Sequence, residues 1–117
     1  IHRDRSAMTS NRVMIVTSAT EDSLQSVLDA IAGAGGGEIG HYTHCSFTVA
    51  GSGTFKPGVG ADPHVGIVGE INRVPEIRIE TFCGRDQAKG VVQAIRAAHP
   101  YEEPVIYLIP LLDEHDL

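Results

Sequence analysis

Apolar residues recur along this chain with two different periods, and each change of period marks an element. Arg12–Thr17 reads Arg-Val-Met-Ile-Val-Thr, a β-rich run in which Val13 and Ile15 point one way and Met14 and Val16 the other. Both faces are apolar, so this strand is expected to be covered on both sides. From Thr20 the period lengthens. Leu24, Val27, Leu28 and Ile31 follow the i, i+3, i+4, i+7 rule of one helix face, with polar Gln25, Ser26 and Asp29 between them. Thr20 is placed to cap that helix, and Glu21 and Asp22 sit in its first turn, at the positive end of the helix dipole. The helix is expected to stop near Gly33, with Gly35–Gly37 free to turn the chain back.

Glu38–Ala50 alternates again and predicts the second strand. Ile39, His41, Thr43, Cys45, Phe47 and Val49 share one face, and Tyr42, His44, Ser46 and Thr48 the other. Pro75–Phe82 alternates most cleanly, with Ile77 and Ile79 facing in and Arg78 and Glu80 facing out. Asp86–Ala98 returns to helical spacing through Ala88, Val91, Val92, Ile95 and Ala98; Gly90 weakens it and Pro100 ends it. Val105–Leu112 is the last strand, apolar on both faces. Val65–Ile71 is a candidate extra strand that its two glycines count against.

The order is β-α-β, loop, β-α-β, which predicts an α+β, ferredoxin-like βαββαβ domain with two helices on one face of an antiparallel sheet. Two helices cover one sheet face only. Met14, Val16, Ile106 and Leu108 are expected on the other, where exposure forfeits about 1.5–3 kcal/mol per side chain that burial would recover. The expected remedy is packing against further copies of the chain, a homo-oligomer.

Composition narrows the function classes. The chain has 117 residues, suited to one domain, and a net charge of −6 with nine scattered basic residues. Neither nucleic acid nor an anionic membrane is an expected partner, because phosphate contacts need clustered Lys and Arg. Cys45 and Cys83 form no disulfide framework and no Cys-x-x-Cys pair, so they read as small apolar side chains in a reducing, cytoplasmic setting. No apolar run approaches the ~20 residues of a membrane helix. Residues 1–7 read as a vector-derived, disordered leader, and residues 8–117 as the single domain.

Five motifs in one order carry a resemblance. Gly-His-Tyr-Thr-His-Cys-Ser-Phe (40–47), Gly-Ser-Gly-Thr-Phe-Lys-Pro (51–57), Gly-Ala-Asp-Pro-His-Val-Gly (60–66), Glu-Ile-Arg-Ile-Glu (76–80) and Ala-His-Pro-Tyr-Glu-Glu-Pro (98–104) resemble the YqfO-like domain. In larger proteins that domain is inserted into the Nif-three-like dinuclear-metal fold, and this chain looks like its stand-alone form. The resemblance runs from about Val13 to Leu111. It implies a PII/CutA-like subunit that assembles, commonly as a trimer, through its open sheet face, with ligand contacts on the loop between strands two and three, here Gly51–Pro75. The flanking halves that hold the dinuclear metal are not in this chain, so the larger family's hydrolase chemistry does not carry over.

Two stretches hold candidate site residues, and each has a plainer reading. The Gly-Pro-rich loop, anchored by Phe55, Val59, Val65 and Ile67, offers backbone N–H groups and one lysine; Gly51, Gly53, Thr54, Phe55 and Lys56 are its candidate ligand contacts. It lacks the Gly-Lys-Ser/Thr ending of a phosphate loop, and packing against a neighbouring subunit explains it as well. The turn His99-Pro100-Tyr101-Glu102-Glu103-Pro104 presents an imidazole, a phenol and two carboxylates. Tyr101 is a further candidate ligand contact. His99, Glu102 and Glu103, with His44 from the second strand, form a candidate divalent-metal donor set. The plainer reading gives His44 and His99 structural hydrogen bonds and leaves the carboxylates in solvent. Strand parity puts Cys45 in the core, and no catalytic residue is assigned.

The first functional expectation is a non-enzymatic, oligomeric PII/CutA-like module that binds a small ligand or divalent metal at clefts between subunits, in a regulatory role. The alternatives are a metal-assisted hydrolase using the His and Glu residues, and a purely structural assembly domain.

Overall fold

A computed structural model describes residues 11–117; the expected leader at residues 1–7 lies outside them. Four strands and two helices alternate as β1 (Arg12–Ala19), α1 (Leu24–Gly33), β2 (Phe47–Phe55), β3 (Asn72–Gly84), α2 (Ala88–Ala98) and β4 (Ile106–Pro110), followed by a 3-10 turn at Glu114–Asp116. The strands form one sheet in the order β2-β3-β1-β4, antiparallel throughout. This is the expected ferredoxin-like plan.

Register explains the core. Val13, Ile15, Thr17 and Ala19 of β1 stand opposite Cys83, Thr81, Ile79 and Ile77 of β3, and paired residues share a face. Both helices lie on that face. Val27 and Ile31 of α1 and Ala88, Val91 and Ile95 of α2 complete one buried aliphatic cluster with Val13, Ile15, Ala19, Ile79 and Cys83. Each wholly buried aliphatic side chain contributes about 1.5–3 kcal/mol. Thr17 is buried among them, and its hydroxyl donates to the Val105 carbonyl at 2.6 Å, which ties the entry of β4 to β1.

Several expected boundaries move, for local reasons. The first helix starts one turn later than Thr20: the Thr20 N–H donates to Ser23 Oγ at 3.1 Å and the Ser23 N–H donates back to the Thr20 carbonyl, so Thr20–Ser23 forms a closed turn and Ser23 is the N-cap. The second helix likewise starts at Ala88 rather than Asp86. The second strand is not Glu38–Ala50. Residues 38–46 are irregular, with one isolated bridge between Ile39 and Tyr42, and positive φ at Gly37, Gly40 and His44 breaks the pleat that the alternation suggested. Gly37 is needed there: a Cβ at that position would stand 2.7 Å from the Cys45 carbonyl oxygen. Gly51–Phe55, expected in the loop, forms the end of β2 instead.

β3 is longer than expected and includes Pro75. β1 pairs with β3 only as far as Ile77, so Pro75 lies where β3 has a neighbour on one side alone and a missing N–H costs the ladder little. Beyond that point Gly51–Phe55 and Asn72–Glu76 continue as five paired positions of a two-stranded ribbon, about 17 Å long. The loop at its tip carries no strand over Val65–Ile71; it is held by Asn72, whose Oδ1 accepts from the Ile67 N–H at 3.1 Å and whose Nδ2 donates to the Ile67 and Glu70 carbonyls. Of the expected loop anchors, Phe55 and Val65 are half-buried, whereas Val59 and Ile67 point into solvent.

The outer sheet face is corrected in one strand. β4 pairs Ile106 with Thr17 and Leu108 with Ile15, so those two lie on the helix side, and Tyr107 and Ile109 face outward. They share that face with Met14, Val16 and Phe82, and with Phe47 and Val49 of β2.

Candidate functional site

The turn from His99 to Val105 is fastened to the end of β1 by one buried imidazole. His99 Nδ1 accepts from the Tyr101 N–H at 3.1 Å, which leaves Nε2 to donate to the Ser18 carbonyl at 2.7 Å. The ring is therefore the neutral Nε2–H tautomer, and burial pushes its pKa down against the Ser18 bond and the Glu76 charge, which push it up. Both nitrogens are occupied, so His99 offers no lone pair to a metal. Tyr101 packs on it, with ring centroids 4.7 Å apart, and meets His64 of the ribbon loop at 6.3 Å.

Between this turn and the ribbon lies a cleft of about 360 Å³. Phe55, Pro57, Val65 and Val105 give it apolar walls; Glu76, Glu102, Glu103, Lys56 and His64 border it. Glu102 also bridges its two sides, accepting from the Asp62 N–H at 3.3 Å. The Tyr101 hydroxyl is buried, and no group among the described residues meets it in hydrogen-bond geometry. Burial, with the Glu76 carboxylate close by, pushes its pKa up to about 12, so it stays a neutral phenol.

The expected residues divide accordingly. Thr54, Phe55, Lys56, Tyr101, Glu102 and Glu103 all border this cleft. Gly53 lies behind it: the Glu76 carboxylate occupies the space a Cβ would take, with Oε1 1.5 Å from that position. Gly51 is on the ribbon opposite Glu76, outside the cleft lining. His44 is not on a strand. It sits at φ 61° before β2, with Nε2 3.8 Å from Asp29 of α1 and Nδ1 3.0 Å from the Thr43 hydroxyl. The four-donor set therefore does not gather within one copy, and among the described residues no group of three or more His, Cys, Asp or Glu side chains could hold a metal ion. Cys45 is half-buried and outside the core, since the strand that fixed its parity is absent; it and the buried Cys83 are free thiols.

Sequence reasoning missed Glu76 and His64. Glu76 reads as one more outward residue of an alternating strand, and only the register against Gly51 and Gly53 reveals the gap it fills. His64 had a signal, since Asp-Pro-His lies in a stiffened loop, but nothing in the sequence pairs it with Tyr101.

No protein-family model matches the chain. A protein of Halalkalibacterium halodurans named GTP cyclohydrolase 1 type 2 homolog is 44% identical over 88 residues, which is 75% of this chain and 24% of that protein. The crystal structure of a Bacillus cereus protein related to NIF3 superposes with a TM-score of 0.76 at 35% identity, covering 88% of this chain and 26% of the other. The chain belongs with the YqfO-like domain of the NIF3-related proteins. This YqfO-like domain spans about a quarter of the length of the curated relatives it matches. CutA1 from Shewanella sp. SIB1 shares the fold, with a TM-score of 0.64 at 16% identity over 90% of this chain and 85% of that one. The chain thus has the PII/CutA-like fold. No helix among the described residues is long and apolar enough to cross a membrane.

Proposed function

We propose that this YqfO-like domain is a non-enzymatic, self-associating regulatory module that holds a small ligand in the cleft between its ribbon and its 99–105 turn. The observation that carries the reading is the apolar-walled cleft of about 360 Å³, bordered by Glu76, Glu102 and Glu103. That volume lies at the lower end of the range for small-molecule sites, and a few polar groups on apolar walls is their usual make-up.

Self-association is supported by the ribbon and the outer face. An isolated two-stranded ribbon is marginal in water, and Phe47, Val49, Tyr107 and Ile109 are exposed on the outer face. Further copies of the chain covering that face remove both costs, and three copies is the number the CutA-like resemblance implies. The free thiols Cys45 and Cys83 support a reducing, cytoplasmic setting. A divalent metal is the second reading, favoured by Glu102 and Glu103 standing together at the cleft; it requires donors from another copy.

A thermal-shift screen against small metabolites tests the ligand site. Binding is expected to raise the melting temperature of the wild type and to leave Ala61→Trp, in which a large side chain fills the cleft, unshifted. Equal shifts in both proteins would place the ligand elsewhere and end this reading.

A further inference from the structure

The groups around the cleft favour one sign of ligand. Glu76, Glu102 and Glu103 border it, against Lys56 as the sole Lys or Arg among its lining residues. Asp22 stands close enough to act on the Tyr101 hydroxyl as well. An anion entering there meets carboxylates from both the ribbon and the turn. Glu76 is also held in place: its Oε2 accepts from Ser18 Oγ at 3.2 Å, and its Oε1 lies over Gly53. Next to it the Tyr101 hydroxyl is buried, within reach of the Glu76 carboxylate but outside strict hydrogen-bond geometry. A fixed carboxylate bordering an apolar-walled cleft is an arrangement that takes N–H donors.

The apolar walls decide between kinds of cation. A bare divalent ion gains nothing from Phe55, Val65 and Val105, and no chelating group of three His, Cys, Asp or Glu side chains occurs among the described residues. An organic cation uses both features, since its charged head needs donors' partners and its carbon body needs apolar surface. The cleft, about 360 Å³, holds roughly a dozen waters' worth of volume, which suits a metabolite of that many heavy atoms.

We propose that the cleft is a receptor for a small organic cation, a primary amine or guanidine on a short apolar body. Its N–H groups donate to the Glu76 carboxylate, and its carbon chain lies against Phe55, Val65 and Val105. This rests on reading the cleft as a ligand site and adds the charge and chemistry of the ligand.

Titration with putrescine and agmatine, followed through the methyl NMR signals of Val65 and Val105, tests it. Saturable shifts at both valines are expected, with none from glutarate, which has a similar length and the opposite charge. Glu76→Gln is expected to weaken amine binding about tenfold or more, as loss of a charge-assisted hydrogen bond does. Gly53→Ala is expected to do the same while keeping every charge, because the new Cβ displaces the Glu76 carboxylate. Saturable shifts from glutarate or inorganic phosphate, and none from the amines, overturn the assigned sign and leave the ligand site standing. A tighter response to Mn²⁺ than to either amine overturns it in favour of a metal. Silence from all these probes overturns the organic-cation proposal; if Ala61→Trp also leaves metabolite-induced thermal shifts intact, the ligand site falls with it.

Discussion

At one end of β3, Ile79 is wholly buried between α1, α2 and β1, in company with Ile15, Val91 and Ile95. A few residues earlier the same strand has β2 as its only neighbour, and apolar residues of the loop it emerges from stand in water: Ile67 is 59% exposed and Ile71 78%. The first end is a finished core. The second is a ribbon whose order comes from its ladder, from Asn72 and from whatever covers it. The contrast teaches where the molecule keeps its stability and where it keeps its chemistry. The helix-covered end carries two candidate site residues, the buried imidazole of His99 and His44 beside Asp29 of α1, and neither borders the cleft; every residue that does belongs to the ribbon, its loop or the turn facing it.

The sharpest way to test that contrast is to damage each end in turn. Ile79→Ala is expected to cost about 2–5 kcal/mol, read by urea denaturation, because its cavity opens where no neighbour can collapse. Asn72→Ala removes three hydrogen bonds but from exposed groups, so a cost of about 1–2 kcal/mol is expected, with faster hydrogen exchange confined to the ribbon loop. Comparable global losses from both changes would erase the distinction between core and ribbon. Tyr101→Phe is expected to move stability the other way. It removes a buried hydroxyl that meets no group of the described residues in hydrogen-bond geometry, so the protein should gain about 1 kcal/mol. A destabilised variant would mean that the hydroxyl is satisfied in solution.

The subtlest effect is on pH. Folding holds His99 neutral, chiefly through burial, so its folded pKa is below the ordinary value. The unfolded chain then takes up the extra proton first. Stability from this group is complete above the ordinary histidine range and declines as pH falls through about 6.5 and below. Glu76 opposes the shift and His64 adds to it, both acting from the ribbon side. Melting temperatures of the wild type and His99→Gln across pH 5–8 check this. Convergence of the two curves at low pH is the expected result, and parallel curves would contradict it.

The fold was largely legible because burial imposes period. Val13, Ile15, Val27, Ile31, Ile79, Val91 and Ile95 all sit where their spacing put them, on the helix-covered face. Legibility failed where no core enforces a period. Residues 38–46 alternate in sequence without forming a strand, since positive φ at Gly40 and His44 interrupts them. Gly51–Phe55 looks like loop yet pairs as strand, because the ladder to β3 outweighs its glycines. β4 was read one residue out of phase, being apolar at every position and so without a pattern to fix its facing. The candidate site was half legible. The loop and turn residues singled out by sequence gather at one cleft, which Thr54, Phe55, Lys56, Tyr101, Glu102 and Glu103 all border. Hydrogen bonds across the fold were not: nothing in the sequence says that Ser18 and Tyr101 consume both nitrogens of His99, or that Glu76 lies over Gly53.

The central claim is that the uncovered sheet face and ribbon are completed by further copies of the chain. Sedimentation equilibrium at micromolar concentration tests it most directly. A single defined oligomer, most simply a trimer, that Phe47→Glu or Tyr107→Glu dissociates is the predicted result. A monomer across that range, with Phe47 and Tyr107 free in water, would contradict it.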